Sequence, residues 1–103
     1  MKNSIMTVGQ AIKTIRKSKN ITIQQLSDAT GLSKPTLTGI ENRQTQPRPE
    51  SMKKISEALG VPENLIHIMT LQKKDVPRGK RILYGKLFPI IQELILEVAK
   101  AEE

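Results

Sequence analysis

The side chains best suited to bind another molecule gather in one short segment, residues 33–48. Hydroxyl and ammonium groups lie on one side of its first helical turns: Ser33, Lys34, Thr36 and Thr38. Leu37 and Ile40 fall on the opposite side, at helical spacing. Such hydroxyl and ammonium groups exchange hydrogen bonds and neutralise anions. The segment therefore has the chemistry of a binding surface.

Residues that could support catalysis are scarce. The chain has no cysteine, and its one histidine, His67, stands between Ile66 and Ile68 in a helical pattern, where an ordinary helix residue is expected. No glycine-rich phosphate loop and no metal-ligand spacing occurs. We predict that the protein is not an enzyme and has neither a metal site nor a cofactor.

Two short helical patterns, hinged at Gly31, position the binding segment. Thr22 can cap the first helix, and Gln25 can bond back to it as a capping box. Gly31 stands where that helix must end in a left-handed residue, a conformation that glycine adopts without steric cost. Ser33 can cap the second helix, and Pro35 fits its first turn, where the amide is not needed. Two helices joined by such a turn form a helix-turn-helix.

Hydrophobic periodicity predicts an all-α chain of six helices. Their approximate ranges are 8–18, 23–30, 34–42, 49–60, 62–69 and 80–100. In the second helix, Leu26 and Ala29 are expected to face the core. Residues 73–79 carry proline and glycine and are expected to form a linker.

Residues 8–69 resemble the phage-repressor and Cro-like helix-turn-helix family, also called the XRE family. The matching positions are Ile12, Arg16, Thr22, Leu26, Gly31, Ser33, Leu37, Ile40, Glu41 and Asn42. A looser match continues through Pro49, Ile55, Ala58, Leu59, Gly60 and Val61. The resemblance implies a five-helix, lambda-repressor-like DNA-binding domain over residues 1–71 of a transcriptional regulator. A basic linker (72–79) and a C-terminal amphipathic helix (80–103) would follow.

The resemblance also places the second helix of the motif in the DNA major groove. It implies that Lys34, Pro35 and Gly39 occupy the positions that most often read bases. Lys34 could donate to guanine O6 and N7, whereas Pro35 and Gly39 could pack on a thymine methyl or allow a close approach. Direct base reading should therefore depend on Lys34, Thr36 and Thr38. The alternative for Lys34 is a solvated surface lysine.

A set of polar residues around the motif is expected to bind DNA phosphates: Thr22, Gln24, Ser33, Asn42, Arg43, Gln44 and Arg48. The start of the helix after Thr22 offers free amides and a partial positive charge. The resemblance assigns a phosphate contact to Asn42. Two positions depart from the family pattern, since Ile23 replaces a usual glutamine and Arg43 replaces a usual glycine. A merely solvated loop is the alternative for residues 43–48.

Arg16 and Glu41 are implied by the resemblance to form a structural pair between the first helix and the end of the second helix of the motif. Such a pair would orient the helix that reads DNA. Removing one partner of a half-buried ion pair costs several kcal/mol, even where the net stabilisation by the pair is small.

The charge of the chain favours polyanionic partners. Seventeen Lys and Arg residues against ten Asp and Glu residues leave a net charge of +7, which could also suit RNA or an anionic membrane. Residues 73–86 carry six basic and one acidic side chain, which either add phosphate contacts or keep the linker solvated. No apolar run approaches the ~20 residues of a membrane span, and no signal-peptide core begins the chain. We expect a cytoplasmic protein without a membrane partner.

The last helix, residues 80–103, carries a wide apolar stripe. Its members are Tyr84, Leu87, Phe88, Ile91, Leu94, Ile95 and Val98. Because a domain of this size has little core left for such a helix to cover, we expect a homodimer interface. Packing within the monomer and binding of a different protein are the alternatives.

Together these features predict a sequence-specific regulator that binds double-stranded DNA as a homodimer and represses by occupying an operator. A dimer would set two half-sites about 34 Å apart. The alternative is an antitoxin-like or adaptor protein whose last helix binds a protein partner.

Overall fold

The computed structural model describes residues 6–42 and 44–100 of the chain. Six α-helices follow one another: α1 (Val8–Ser18), α2 (Ile23–Thr30), α3 (Lys34–Glu41), α4 (Pro49–Leu59), α5 (Glu63–Ile68) and α6 (Arg81–Lys100). Two single 3₁₀ turns, Lys73–Asp75 and Arg78–Lys80, connect α5 to α6 where a linker was predicted. The all-α prediction is confirmed, and the described residues contain no strand.

Reciprocal caps begin the first two helices. Thr22 accepts a hydrogen bond from the Gln25 amide at 3.0 Å, and the Gln25 side chain accepts one from the Thr22 amide at 2.9 Å, which confirms the predicted capping box. Thr7 and Gln10 form the same arrangement at the start of α1. At the other end of α2, Gly31 has the predicted left-handed backbone, with φ of +77°.

One residue predicted for the core of α2 lies outside it. Ala29 is exposed, and Thr30 is buried in its place. The Thr30 hydroxyl donates to the Leu26 carbonyl at 2.8 Å and accepts from the Leu32 amide at 3.1 Å. Because both hydrogen bonds are local, the hydroxyl is satisfied inside the turn and can be buried.

α4 begins at Pro49 and ends at Leu59, and Gly60 caps it with a left-handed backbone, with φ of +73°. The Lys19 ammonium donates to the last carbonyl of the helix, that of Leu59, at 2.8 Å. A cation at this position satisfies a free carbonyl and interacts favourably with the negative end of the helix dipole. The loop after α1 is thereby attached to the end of α4.

The core lies between α1 and the helices that surround it. Its fully buried apolar side chains include Ala11, Ile12, Ile15, Leu26, Leu37, Ile55, Leu59 and Ile66. α1 is the central element, since it packs against α3, α5 and α6. The helix-turn-helix therefore packs on α1 through α3, and only one face of α3 is exposed to solvent.

α6 belongs to the same core. Ile95 and Ala99 are buried in the core cluster, and Phe88 stacks on Tyr84 with 4.9 Å between ring centroids. The Gln92 side chain also donates to the carbonyl of Met69 at 3.2 Å, which ties the middle of α6 to the end of α5. None of the described helices combines the length and the hydropathy needed to cross a lipid bilayer.

Candidate nucleic-acid interface

The outward face of α3 is exposed where base-reading residues were predicted. Lys34, Pro35, Thr36 and Thr38 are all exposed, whereas Leu37 and Ile40 are buried in the core. The helical period explains this division, because one face of α3 packs on the core and the opposite face is in solvent. The short helix therefore presents one ammonium and two hydroxyl groups to an approaching ligand.

A hydrogen bond at the start of α3 orients one of these hydroxyls. The Ser33 oxygen accepts from the Thr36 amide at 3.2 Å and caps the helix, while the Ser33 hydroxyl donates to Thr36 Oγ1 at 2.8 Å. Ser33 is thus engaged in the cap, and its hydrogen bond to Thr36 holds the Thr36 hydroxyl on the exposed face of the helix.

Gly39 lies on the same face but is buried. A Cβ atom built on it would lie 3.4 Å from Thr45 Oγ1 and 3.8 Å from Gln44 Oε1, because the loop after α3 folds back over this glycine. The side chains of the loop, and not solvent, therefore lie next to Gly39 in the structure, and the DNA contact predicted at Gly39 stays a prediction.

Most residues predicted to bind phosphates are exposed around α3: Thr22, Gln24, Ser33, Asn42, Gln44 and Arg48. Thr22 caps α2, Ser33 caps α3, and Asn42 and Arg48 stand at the end of α3 and the start of α4. The Gln24 amide donates to the Asp28 carboxylate at 2.9 Å, so this side chain already has an anionic partner. Arg43 lies outside the described residues.

Arg16 and Glu41 hold α1 to the end of α3. Arg16 Nε donates to Glu41 Oε2 at 2.8 Å, and Nη2 donates to Oε1 at 3.0 Å. The remaining terminal nitrogen of Arg16 donates to the Ile21 carbonyl at 2.8 Å, in the turn before α2. The two residues are only 8% and 4% exposed. One guanidinium thus joins both ends of the helix-turn-helix to α1 through the two-pronged geometry that suits a carboxylate.

The residues predicted for a dimer interface lie on two different faces of α6. Leu87, Ile91, Leu94 and Val98 are exposed, whereas Phe88 and Ile95 are buried against the chain's own core. The prediction that Phe88 and Ile95 belong to a dimer interface is therefore wrong. The apolar arc of α6 is wide enough to cover the domain with these residues and still leave one edge in solvent. Leu83 and Ile90 extend the exposed edge. Leu83 lies four residues before Leu87, and Ile90 lies four residues before Leu94, and this helical spacing could have revealed them.

Tyr84 is directed toward the domain as well. Its hydroxyl donates to the Leu71 carbonyl at 2.7 Å. Desolvation by burial, and secondarily the Asp75 carboxylate, raise the pKa of Tyr84 above its ordinary value. The phenol therefore keeps its proton and its hydrogen bond across neutral pH.

The part of the chain that the structure describes contains no group of three His, Cys, Asp or Glu side chains able to hold a metal ion. His67 is exposed on α5. Around α3 the described surface offers hydrogen-bonding groups, the ammonium of Lys34 and the guanidinium of Arg48.

Comparison with known proteins identifies three relatives from Bacillus and its phages. An uncharacterised HTH-type transcriptional regulator of Bacillus subtilis, RghRB, is 37% identical over 60 residues, which cover 56% of this chain and 43% of that protein. The immunity repressor protein of Bacillus phage phi105 is 39% identical over 56 residues, 54% of this chain and 39% of the repressor. The HTH-type transcriptional repressor RghR of Bacillus subtilis is 33% identical over 55 residues, 52% and 41% of the two chains.

The chain thus spans about two fifths of the length of the relatives it matches. No solved structure gives a significant match. A helix-turn-helix family model, HTH_3, matches residues 12–66, from the middle of α1 to α5. Because that match includes the whole two-helix motif and just over half of the chain, the protein belongs to the XRE-type helix-turn-helix family of transcriptional regulators.

Proposed function

We propose that this protein is a cytoplasmic, sequence-specific regulator that inserts α3 into the major groove of double-stranded DNA and represses by occupying an operator as a homodimer. One observation carries the proposal. The outward face of α3 offers exposed donors with no structural role in the core, on a helix that the buried Arg16–Glu41 pair holds in place. A rigid helix with an unoccupied polar edge is suited to a groove that is wide enough to admit it.

Base contacts would come from the first turns of α3. Lys34 can donate to guanine O6 and N7, and the hydroxyls of Thr36 and Thr38 can bond to either kind of base edge. Pro35 has no donor, but its exposed ring can pack on a thymine methyl. Discrimination should therefore depend on a few contacts near the start of the helix.

Phosphate contacts would come from the rim of the motif. The first turn of α2 has backbone amides and the positive end of the helix dipole beside Thr22, and Asn42, Arg43 and Arg48 follow α3. With a net charge of +7, the chain should bind any duplex weakly through its phosphates and release counterions. Binding should therefore weaken steeply as salt is added.

The exposed edge of α6 would join two copies. We define the α6 stripe as Leu83, Leu87, Ile90, Ile91, Leu94 and Val98, which follow the helical period and are between 39% and 60% exposed. A continuous apolar edge on one helix can meet its own copy about a two-fold axis, since such an interface uses the same patch twice. In this proposed organisation, residues 1–71 bind DNA, residues 80–103 dimerise, and residues 72–79 link the two parts.

Selection from random duplexes tests the proposal. The purified full chain is incubated at low salt with a library of random double-stranded DNA, and the bound fraction is amplified and sequenced. We expect a palindromic motif whose half-sites lie about 10 base pairs apart, one turn of the duplex. Enrichment of no sequence over the starting library would contradict specific recognition. A single half-site without symmetry would contradict the dimer and leave base reading by α3 intact.

A further inference from the structure

The outward face of α3 has a residue without a side chain, Gly39, at its centre. Gly39 follows Pro35 by four residues, so the two lie on the same face, one turn apart. Pro35 and Thr38 on this face are exposed, yet Gly39 is buried. Because the core lies on the opposite side, at Leu37 and Ile40, something other than the core must cover Gly39.

The cover is the loop that follows α3. The amides of Gln44 and Thr45 both donate to the Gly39 carbonyl, at 2.8 and 3.3 Å. Their side chains lie against the position that a Cβ of residue 39 would take, and both side chains are otherwise exposed. The loop thereby places two polar side chains on the face of the helix itself, where Gly39 leaves space.

We propose that Gln44 is a base-reading residue, which supplies from the loop the side chain that Gly39 does not provide from the helix. This inference rests on the proposed function. Gln44 has the amide that pairs in a bidentate manner with N6 and N7 of adenine in the major groove. Within residues 6–42 and 44–100, no side-chain hydrogen bond occupies that amide. Thr45 packs closest to the Gly39 position and acts as a positioning residue for the loop.

The inference explains why residue 39 is small. A Cβ atom there would make ordinary van der Waals contact with Thr45 and Gln44, but a side chain that extends beyond Cβ would enter the space that they occupy and displace the loop from the groove face. Gln44 should therefore read DNA only while residue 39 has no side-chain atom beyond Cβ.

Two substitutions at Gln44 test the inference on the motif that the wild-type chain selects. Kd is measured at fixed salt for the selected operator and for every single base-pair change in it. Gln44→Ala should lose roughly 5- to 100-fold of discrimination at one A·T pair per half-site and leave the other positions unchanged. Gln44→Glu should move the preference at that pair toward C·G, because a carboxylate accepts from cytosine N4.

Gln46→Ala is the matched control, since Gln46 is an exposed glutamine of the same loop and does not lie within 4 Å of the Gly39 Cβ position. It should leave the discrimination profile unchanged. Equal loss of affinity on every sequence for both Gln44 variants would identify a phosphate contact and overturn the inference. An unaltered profile would overturn it too. In both cases the wild-type motif would persist, whereas a wild-type chain that selects no motif would defeat the proposed function itself.

Discussion

Gly9 lies directly against the carbonyl of Ile40. A Cβ atom on Gly9 would overlap the Ile40 carbonyl oxygen and would come within 3.1 Å of the Glu41 Cα. Both of these partners are backbone atoms of the last turn of α3, so no side chain can move aside to make room. The separation between α1 and the helix that reads DNA is therefore set at a position where only a hydrogen atom fits.

Gly9→Ala should destabilise the fold although alanine is the better helix former. Intrinsic propensity would favour alanine by about 1 kcal/mol in a helix interior. The overlap with Ile40 must instead push α1 away from α3, and overpacking of this kind costs typically about 1–3 kcal/mol. Urea denaturation followed by circular dichroism measures the change in the free energy of unfolding.

Gly85→Ala serves as the control for this substitution. Gly85 is an exposed glycine within α6, and a Cβ atom built on it meets nothing within 4 Å. There alanine should stabilise the fold by about 0.5–1 kcal/mol. Stabilisation of similar size at both glycines would contradict the close approach of α1 to α3.

Arg16→Met should destabilise the fold by about 3–5 kcal/mol, because it leaves the Glu41 carboxylate buried without its partner. It also removes the hydrogen bond to the Ile21 carbonyl. Lys34→Ala, on the exposed face of α3, should change stability by less than about 0.5 kcal/mol. Thermal and urea unfolding of both variants checks the difference.

A double substitution separates the pair from the packing around it. Arg16→Met combined with Glu41→Leu removes both charges and should recover a large part of the stability lost in the single variant, since the buried carboxylate is gone. If the double variant is as unstable as the sum of the two single variants, the loss comes from packing and not from the unpaired charge.

Features encoded by neighbouring residues could be predicted from the sequence. The capping box of Thr22 and Gln25 needs only residues three apart, and the left-handed backbone of Gly31 follows from its place between two helical patterns. The same holds for the limits of α1 and α2. The Arg16–Glu41 pair spans 25 residues, and only resemblance to a family made it predictable.

Contacts between distant segments could not be predicted. The spacing of residues identifies Gly39 as part of the outward face, but nothing in the sequence indicates that the loop with Gln44 and Thr45 folds over it. Likewise, periodicity groups Phe88 with Leu87 on one apolar arc. Which part of that arc meets the domain depends on how α6 packs against α1, and this is a property of the tertiary packing.

Lys34→Ala and Arg48→Ala should weaken DNA binding in different ways. If Lys34 reads a base, its removal should relax the preference at one base pair by roughly 1–3 kcal/mol. Arg48 stands at the start of α4 and is exposed, so its removal should weaken binding equally on all sequences and lower the salt slope by about 1. Titrations on the selected operator and on a scrambled duplex, each at several salt concentrations, measure both quantities. A uniform loss for Lys34→Ala would show that it contacts only phosphate.

Leu94→Glu should break the proposed dimer. Leu94 is 60% exposed near the middle of the α6 stripe, and a two-fold axis would bring the new charge into the interface from both copies. Deleting α6 would be a poor test, because Ile95 and Ala99 are part of the core of the domain. We expect the point variant to raise the dissociation constant of the dimer by roughly tenfold or more, since buried charges without partners are costly. Analytical ultracentrifugation of the full chain measures this constant.

Ile82→Glu is the matched control for the dimer test. Ile82 is 75% exposed on the same helix but lies off the α6 stripe, because it is one residue before Leu83 and so about 100° away around the helix. The control should dimerise like the wild type and bind the full palindrome with unchanged affinity. The Leu94→Glu variant should bind a single half-site with unchanged affinity, but it should lose the additional affinity that the wild-type dimer obtains from the second half-site of the palindrome. A wild-type chain that sediments as a monomer at concentrations that saturate the operator, or equal effects of both substitutions, would show that α6 does not join the two copies.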